Sequence, residues 1–347
     1  MENFFHVRCA AHIINLVVKD GLKIVSQAIN KIRDSVRYTK STPSRKQSFN
    51  EAIKHVHLEE QALPSVDVPT RWNSTYEMLK SALPYKDAFD QLSVQDANYT
   101  NCPSSNEWAE ISTMKEFLSI FNTATLKLGM TIHPTAHLVY KMMMKIDNQL
   151  KSSSNSSLPH IANMIEPMQN KFNKYWSQMK DFAAINQVFD PRCKLDRIKF
   201  ILSEELGQSQ ASTSINKIKD LLTTWFNNVI TNKNELLAQT TSTSVPEETN
   251  LANELTLLDD DDKRYEQYLK QRKATQSFST TAELDPYLQE PPVLTASTKF
   301  SVLSWWGTNS GRFPMLSILA KSILMTPMTS IASESAFSTG GRVLSDY

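Results

Sequence analysis

Glycine scarcity constrains this chain more than any other feature, because only 7 glycines occur among 347 residues. Average usage in globular proteins is about 7%. Phosphate-binding loops depend on glycine, and neither GxxxxGK[ST] nor GxGxxG occurs in the sequence. Abundant Leu, Ile, Met, Lys and Gln favour helices instead. The composition therefore predicts a mainly α-helical protein and argues against a nucleotide-binding loop.

Basic residues are concentrated in one segment, although the whole chain carries 37 Lys and Arg against 36 Asp and Glu. A protein that binds nucleic acid with its whole surface usually has a larger basic excess. Nine Lys or Arg and three acids lie between Lys19 and Lys54, a local net charge of +6. Arg45 and Lys46 are the candidate phosphate contacts in this segment. The alternative, a solvated helix face, explains the same charges.

The three cysteines, Cys9, Cys102 and Cys193, are far apart and suggest no disulfide framework. This usage fits a reducing compartment. No apolar run reaches the roughly 18 residues that a membrane span needs, and the first residues lack a signal-peptide pattern. We therefore expect an intracellular protein with no membrane partner.

Apolar periodicity predicts a series of helices separated by polar or proline-bearing segments. The first covers residues 9–38, with a kink or boundary at Gly21. Residues 63–70 contain two prolines and predict a loop or extended stretch. Between Glu235 and Asp262 there are eight acids and no Lys or Arg. That composition predicts a disordered acidic linker.

The C-terminal residues carry the most specific motif. Phe300–Trp306 reads FSVLSWW, Arg312-Phe313-Pro314 follows, and Ser330–Leu344 reads SIASESAFSTGGRVL. This order of residue types resembles the C-terminal dimerisation region of the hAT transposase superfamily, in particular its plant RICESLEEPER-like and DAYSLEEPER-like members. The resemblance implies dimerisation, and Trp305, Trp306, Phe313, Leu316 and Phe337 are its predicted contacts, since aromatic residues often anchor interfaces.

Three further segments resemble the same superfamily. Residues 8–17 (RCAAHIINLV) resemble its CxxH helix, and residues 67–79 (DVPTRWNSTYEML) resemble its TRWNST segment. Residues 189–195 (FDPRCKL) are similar to a run that usually reads LDPRYKL, from which Cys193 departs. The resemblance implies an incomplete RNase H-like α/β core with a large helical insertion and a C-terminal helical region.

Four domains are expected from the motifs and composition together. They are a partial RNase H-like core (1–106), a helical RNase-H-fold or insertion region (107–232), an acidic disordered linker (233–282) and the dimerisation region (283–347). An ordered parallel sheet of five strands would contradict this expectation.

Cys9 and His12 are three residues apart, so both lie on one face of a helix. Such a pair is half of a zinc site, which needs about four ligands, and no second CxxC or HxxxH is present. His6 would add only a third ligand. We therefore predict no metal and interpret Cys9 and His12 as a buried structural pair that steadies the core.

Arg71 and Trp72 follow the proline-bent segment. An indole beside a guanidinium can stack on an unpaired base and hold a phosphate, and the resemblance implies this role at a DNA end. Simple packing of Trp72 in the core is the alternative. Both interpretations stay open at this point.

Glu334 matches, by resemblance, the last carboxylate of the family's Asp-Asp-Glu site. That site needs three carboxylates that converge on two Mg²⁺ ions. In the family both aspartates precede the CxxH helix, so the resemblance implies that neither lies within this chain, and that the BED zinc finger is also outside it.

The sequence thus predicts a transposase-derived nuclear protein without catalytic activity or cofactor. Its expected partners are DNA, weakly, and a second copy of itself or a related hAT-type chain. The alternative is a piece of an active cut-and-paste hAT transposase, with Mg²⁺ as the cofactor of the intact protein.

Overall fold

The computed structural model describes residues 9–58, 62–130, 132–241, 280–295 and 300–327. Within these ranges the backbone is helical and contains no β-strand. The helices are α1 (Ala10–Leu22), α2 (Ser26–Lys40), α3 (Pro43–His55), α4 (Trp72–Ala82), α5 (Lys86–Gln95), α6 (Ser105–Leu128), α7 (Val139–Ser153), α8 (Pro159–Val188), α9 (Lys194–Thr241), α10 (Thr280–Gln289), α11 (Val302–Thr308) and α12 (Pro314–Leu324). The predicted mainly α fold is confirmed.

The described residues divide into two compact units. The first contains the described residues as far as Ala183 together with Thr326 and Pro327, and the second runs from Ala184 to Met325. The division lies inside the range 107–232, which the sequence analysis treats as a single region.

In the first unit, α1 and α2 form as two helices with a break after Leu22, as the sequence predicts near Gly21. Ile29, Ile32 and Val36 of α2 are buried at spacings of three and four. Gly21 itself is buried, and a Cβ there would lie 2.4 Å from Sδ of Met168 in α8. The glycine therefore permits a close approach of α1 and α8.

Helix α6 begins with a capping box, because the Ser104 hydroxyl accepts from the Glu107 backbone N–H and the Glu107 carboxylate accepts from that of Ser104. Its buried face carries large apolar side chains, among them Trp108, whose ring stacks on Phe89 of α5 with centroids 5.8 Å apart. The core of this unit is thus largely aromatic and aliphatic.

Some helix boundaries differ from the sequence prediction. The run Thr42-Pro43-Ser44 predicts a break in the chain. Pro43 instead occupies the first turn of α3, where its missing N–H costs nothing. Apolar periodicity also predicts separate helices at 195–206 and 215–229. Both belong to α9, which is interrupted at Gly207 with φ of 75°.

The predicted linker at 233–282 is wrong at both its edges. Helix α9 continues through Thr241, and α10 begins at Thr280. Residues 242–279 lie outside the described residues.

Candidate nucleic-acid interface and self-association region

A cavity of about 290 Å³ lies in the first unit beside Trp72. Its walls come from the end of α1, the first half of α2 and the segment leading into α4. Lys19, Lys23 and Arg33 are its basic lining residues, while Leu22, Ile29, Pro69 and Trp72 are its apolar ones. The cavity therefore combines an apolar wall with basic groups, a combination suited to an anionic ligand with a flat apolar face.

Asp20 partly compensates the basic groups around this cavity. Its carboxylate is 2.7 Å from Nζ of Lys23 and 3.0 Å from Nζ of Lys171 in α8. The hydrogen bond from Lys23 is the main reason that the pKa of Asp20 lies below its usual value, and Lys171 lowers the pKa further. Two lysines thus share one carboxylate, and a positive excess remains.

Arg33 holds the segment before α4 against α2. Its guanidinium donates in a bidentate manner to the Asp67 carboxylate, with both N–O distances 2.8 Å. Asp67 also accepts from the Thr75 hydroxyl at 2.8 Å, and its side chain is fully buried. Burial acts to raise the pKa of Asp67, but the hydrogen bonds from Arg33 and Thr75 outweigh it and lower this pKa. The pair fixes the loop that carries the TRWNST segment.

Arg71 and Trp72 have different surroundings. Arg71 is the exposed residue before the first turn of α4, whereas Trp72 is only 3% exposed. The indole contacts Tyr76 edge to face, with centroids 6.3 Å apart. A base could reach only the part of the indole that lines the cavity. Burial favours a packing role for Trp72, and its contact with a base stays a prediction.

Arg45 and Lys46 lie at the start of α3. The Arg45 guanidinium is 4.0 Å from the centre of the Tyr38 ring and donates to the Ser41 hydroxyl at 2.9 Å. Lys46 is exposed. Neither residue lines the cavity. Arg33 does line the cavity. On α2 it precedes Tyr38, whose ring Arg45 contacts, by five residues, which is about 7.5 Å of helix rise. The predicted DNA contacts therefore form two sites on the first unit.

Cys9 and His12 do not form the buried pair that the spacing suggested. Cys9 is half-buried at the N-cap of α1, and its Sγ accepts from the backbone N–H of His12 at 3.4 Å. The His12 side chain is exposed. A thiol that accepts this hydrogen bond satisfies an otherwise unpaired N–H of the helix. Cys9 therefore stabilises the N-terminus of α1 through the backbone of His12 and not through its imidazole.

No group of three or more His, Cys, Asp or Glu side chains within the described ranges is placed to hold a metal ion. Glu334 and Phe337 lie outside the described residues. In the same ranges, no helix is long and apolar enough to cross a membrane.

The second unit contains an aromatic cluster built from distant parts of the sequence. Trp306 lies 5.0 Å from Tyr287 and 5.7 Å from Phe189, measured between ring centroids, and its Nε1 donates to the Phe189 carbonyl at 2.8 Å. Phe313 contacts Tyr287 edge to face. These residues join α10, α11 and the start of α12 to the turn after α8.

Burial corrects the predicted dimer contacts. Trp306, Phe313 and Leu316 are at most 1% exposed, so they pack inside the second unit and are not on its surface. Trp305 is half-buried. Ile318 on α12 and Met325 directly after it, which the sequence analysis did not single out as contacts, are 44% and 68% exposed. Large apolar side chains signalled an interface, but sequence alone could not separate internal from external contacts.

Glu283 and Lys194 are buried charged residues that the sequence analysis did not identify. Glu283 is 5% exposed and Lys194 is 1% exposed. Lys194 stands in the FDPRCKL run, and Glu283 begins the dimerisation region, but nothing local in either sequence signals burial. Their partners are 32 or more residues away.

Comparisons with known families agree with this arrangement. Residues 7–117 match the ZBED1 RNase-like helical domain, residues 137–228 match the hAT-like transposase RNase-H fold, and residues 283–347 match the hAT family C-terminal dimerisation region. The chain belongs to the hAT family of transposase-like proteins.

Its relatives include transposases and BED-finger proteins of plants. The chain is 34% identical to the Putative AC transposase of Zea mays over 349 residues, which covers 99% of this chain and 42% of the relative. It is 30% identical over 352 residues to Zinc finger BED domain-containing protein RICESLEEPER 2 of Oryza sativa subsp. japonica, covering 99% and 48%. DAYSLEEPER of Arabidopsis thaliana is 27% identical over 86% of this chain and 40% of its own length. The chain thus spans less than half the length of these relatives.

Proposed function

We propose that these 347 residues form a self-associating, DNA-associated scaffold derived from a hAT transposase, and that by themselves they do not cut DNA. The observation that carries most weight is the match of residues 283–347 to the hAT dimerisation region. Its described helices α10–α12 pack around an aromatic cluster in the second unit, and they can present a defined surface to a second copy or to a related hAT-type chain.

The first unit supports weak DNA association. Its cavity is lined by Lys19, Lys23 and Arg33, and Arg45 and Lys46 add a second basic site on α3. Each site is small and partly neutralised by carboxylates. Affinity should therefore be modest and should fall steeply with salt, because phosphate contacts release bound counterions. A DNA partner and the BED-finger names of the relatives suggest a nuclear location.

The absence of cleavage is proposed from the carboxylate count. Of the family's three metal-binding carboxylates, only Glu334 has a counterpart among these residues, and two-metal catalysis needs several carboxylates to hold both ions. The competing function, a catalytic part of an active transposase, is favoured by the similarity to the putative AC transposase.

Two measurements test the proposal. Multi-angle light scattering of the chain at micromolar concentration should give a dimer mass or higher, and a monomer mass for the folded chain would contradict self-association. Incubation with Mg²⁺ or Mn²⁺ and hAT-end DNA should leave the DNA intact. Cleavage that disappears in Glu334→Gln would establish the competing function.

A further inference from the structure

The turn between α8 and α9 is held by main-chain and side-chain hydrogen bonds to residues about a hundred positions later. The Tyr287 hydroxyl donates to the Val188 carbonyl at 2.8 Å, and the Val293 N–H donates to the Pro191 carbonyl at 2.9 Å. With the Trp306 bond to Phe189, three successive parts of the C-terminal region contact this turn. Residues 188–194 are referred to below as the docking turn.

Lys194 ends the docking turn in a strained conformation. Its φ is 46°, in the left-handed region that residues other than glycine rarely adopt. Such strain persists where surrounding contacts determine the conformation, and it often marks functional positions. Here Nζ donates to the Tyr287 carbonyl at 2.8 Å and to the Glu290 carbonyl at 3.1 Å, and it lies 4.5 Å from the centre of the Tyr287 ring. The ammonium group thus binds the C-terminal end of α10, whose last carbonyls have no partner in the helix.

Glu283 performs the complementary task at the other end of α10. Its carboxylate accepts from the backbone N–H groups of Met315 and Leu316, with shortest distances of 2.9 and 2.7 Å. These N–H groups belong to the first turn of α12, where an anion is favoured by unpaired donors and by the helix dipole. Helix α10 is therefore a connector that is bound to the docking turn at one end and binds α12 at the other.

We propose that the docking turn is the binding site for the hAT dimerisation region within the chain, with Lys194 and Glu283 as its positioning residues. This role rests on the proposed self-association. A partner recognises a surface of α10–α12, and that surface exists only while α10 is bound to the turn. Neither residue needs to touch the partner, because both are buried. They act by setting the position of α12.

A cut in the backbone tests the docking separately from self-association. A site-specific protease sequence is substituted within residues 242–279 of the full chain, which is cleaved after folding. The two pieces should stay together in native size-exclusion chromatography, because the hydrogen bonds of the docking turn described above are made by residues outside 242–279. Separation of the wild-type pieces at micromolar concentration would overturn the proposal.

Variants then identify the positioning residues. Lys194→Met keeps the length of the side chain but removes its donors, and should weaken the association of the cleaved pieces about tenfold or more. Glu283→Leu should do the same, whereas Glu283→Gln, which keeps one acceptor oxygen, should restore part of the affinity. Lys199→Met is the matched control, since Lys199 is half-exposed on α9 and pairs with its neighbour Asp196.

Self-association of the uncut variants completes the test. Lys194→Met and Glu283→Leu should weaken dimerisation by a similar factor while helix content is retained, and Glu283→Gln should again be intermediate. Dimerisation that is unchanged while docking is lost would refute the positioning role. If the wild-type chain were monomeric while its cleaved pieces remained bound to each other, the proposed self-association would be refuted. The docking site would still be supported.

Discussion

At the residue scale, buried charges determine how the first unit presents its candidate DNA site. The Arg33 side chain is 14% exposed and that of Asp67 is fully buried, so their bidentate pair is largely shielded from water. Such pairs add little net stability but are costly to break, because one charge then remains buried without a partner. The position of the TRWNST segment therefore depends on Asp67.

Asp67→Asn should lower the free energy of unfolding by about 3 kcal/mol. The pKa of Asp67 is lowered in the folded protein, so the ionised carboxylate contributes stability above the unfolded pKa of about 3.9. That contribution is lost as the pH falls through the lower folded pKa. Urea denaturation from pH 7 to pH 2 should therefore show a shallower acid loss in the variant. Glu116→Gln, at an exposed position on α6, is the control. If the loss of stability in acid were as shallow in this control as in Asp67→Asn, Asp67 would have no special role.

The sequence predicted the chemistry of single residues better than their surroundings. Trp72 was open between base stacking and packing. It is 3% exposed, and residues of α2 line the same cavity, a proximity that no local pattern reveals. The spacing of Cys9 and His12 suggested one shared helix face, but Cys9 is the N-cap residue that precedes α1. Whether that face is buried depends on neighbouring elements, and the imidazole is exposed.

At the element scale, the contact between α1 and α8 depends on Gly21. A Cβ at this position would lie 2.4 Å from Sδ of Met168 and 3.2 Å from Cε of Met164. The ion pair between Asp20 and Lys171 lies beside this contact and joins the same two helices. Small size at position 21 therefore sets the distance between α1 and α8.

Gly21→Ala should destabilise the first unit by about 1–3 kcal/mol, because the methionine side chains must move to accept the methyl group. Gly307→Ala is the matched control, since nothing lies within 4 Å of a Cβ at that helical position. The control should be neutral or slightly stabilising. Thermal unfolding followed by circular dichroism measures both, and a stable Gly21→Ala protein would show that α1 and α8 are not closely packed.

Helices themselves were largely predictable because apolar periodicity and capping are local. The break between α1 and α2 agrees with the sequence prediction, whereas α9 is interrupted only at Gly207 where two separate helices were predicted. The ends of helices were less predictable. Pro43 reads as a breaker in sequence but starts α3, and α9 extends to Thr241 into residues whose composition suggested a linker.

At the scale of the whole molecule, the two units divide the proposed tasks. The basic cavity and α3 belong to the first, and helices α10–α12 with the docking turn belong to the second. The family resemblance anticipated these tasks from motifs. It could not anticipate that Trp306 and Phe313 would pack internally, because the contacts of Trp306 with Phe189 join residues 117 positions apart.

DNA binding by the whole chain should be weak and salt-sensitive, and two double variants can locate it. The slope of log K against log salt should fall by about one unit for each lost phosphate contact. Arg45→Ala with Lys46→Ala tests the α3 site, and Lys19→Gln with Lys23→Gln tests the cavity. Lys217→Gln with Lys219→Gln, at exposed positions on α9, controls for net charge.

Fluorescence anisotropy with labelled single-stranded and duplex DNA gives the affinity at each salt concentration. We expect both test variants to reduce the slope and the control to leave it unchanged. Trp72→Leu should weaken single-stranded binding alone if the indole contacts a base, since stacking is worth about 1–3 kcal/mol per base. Equal slopes in all three double variants would mean that DNA is held by general surface charge, and neither basic site on the first unit would then be a specific interface.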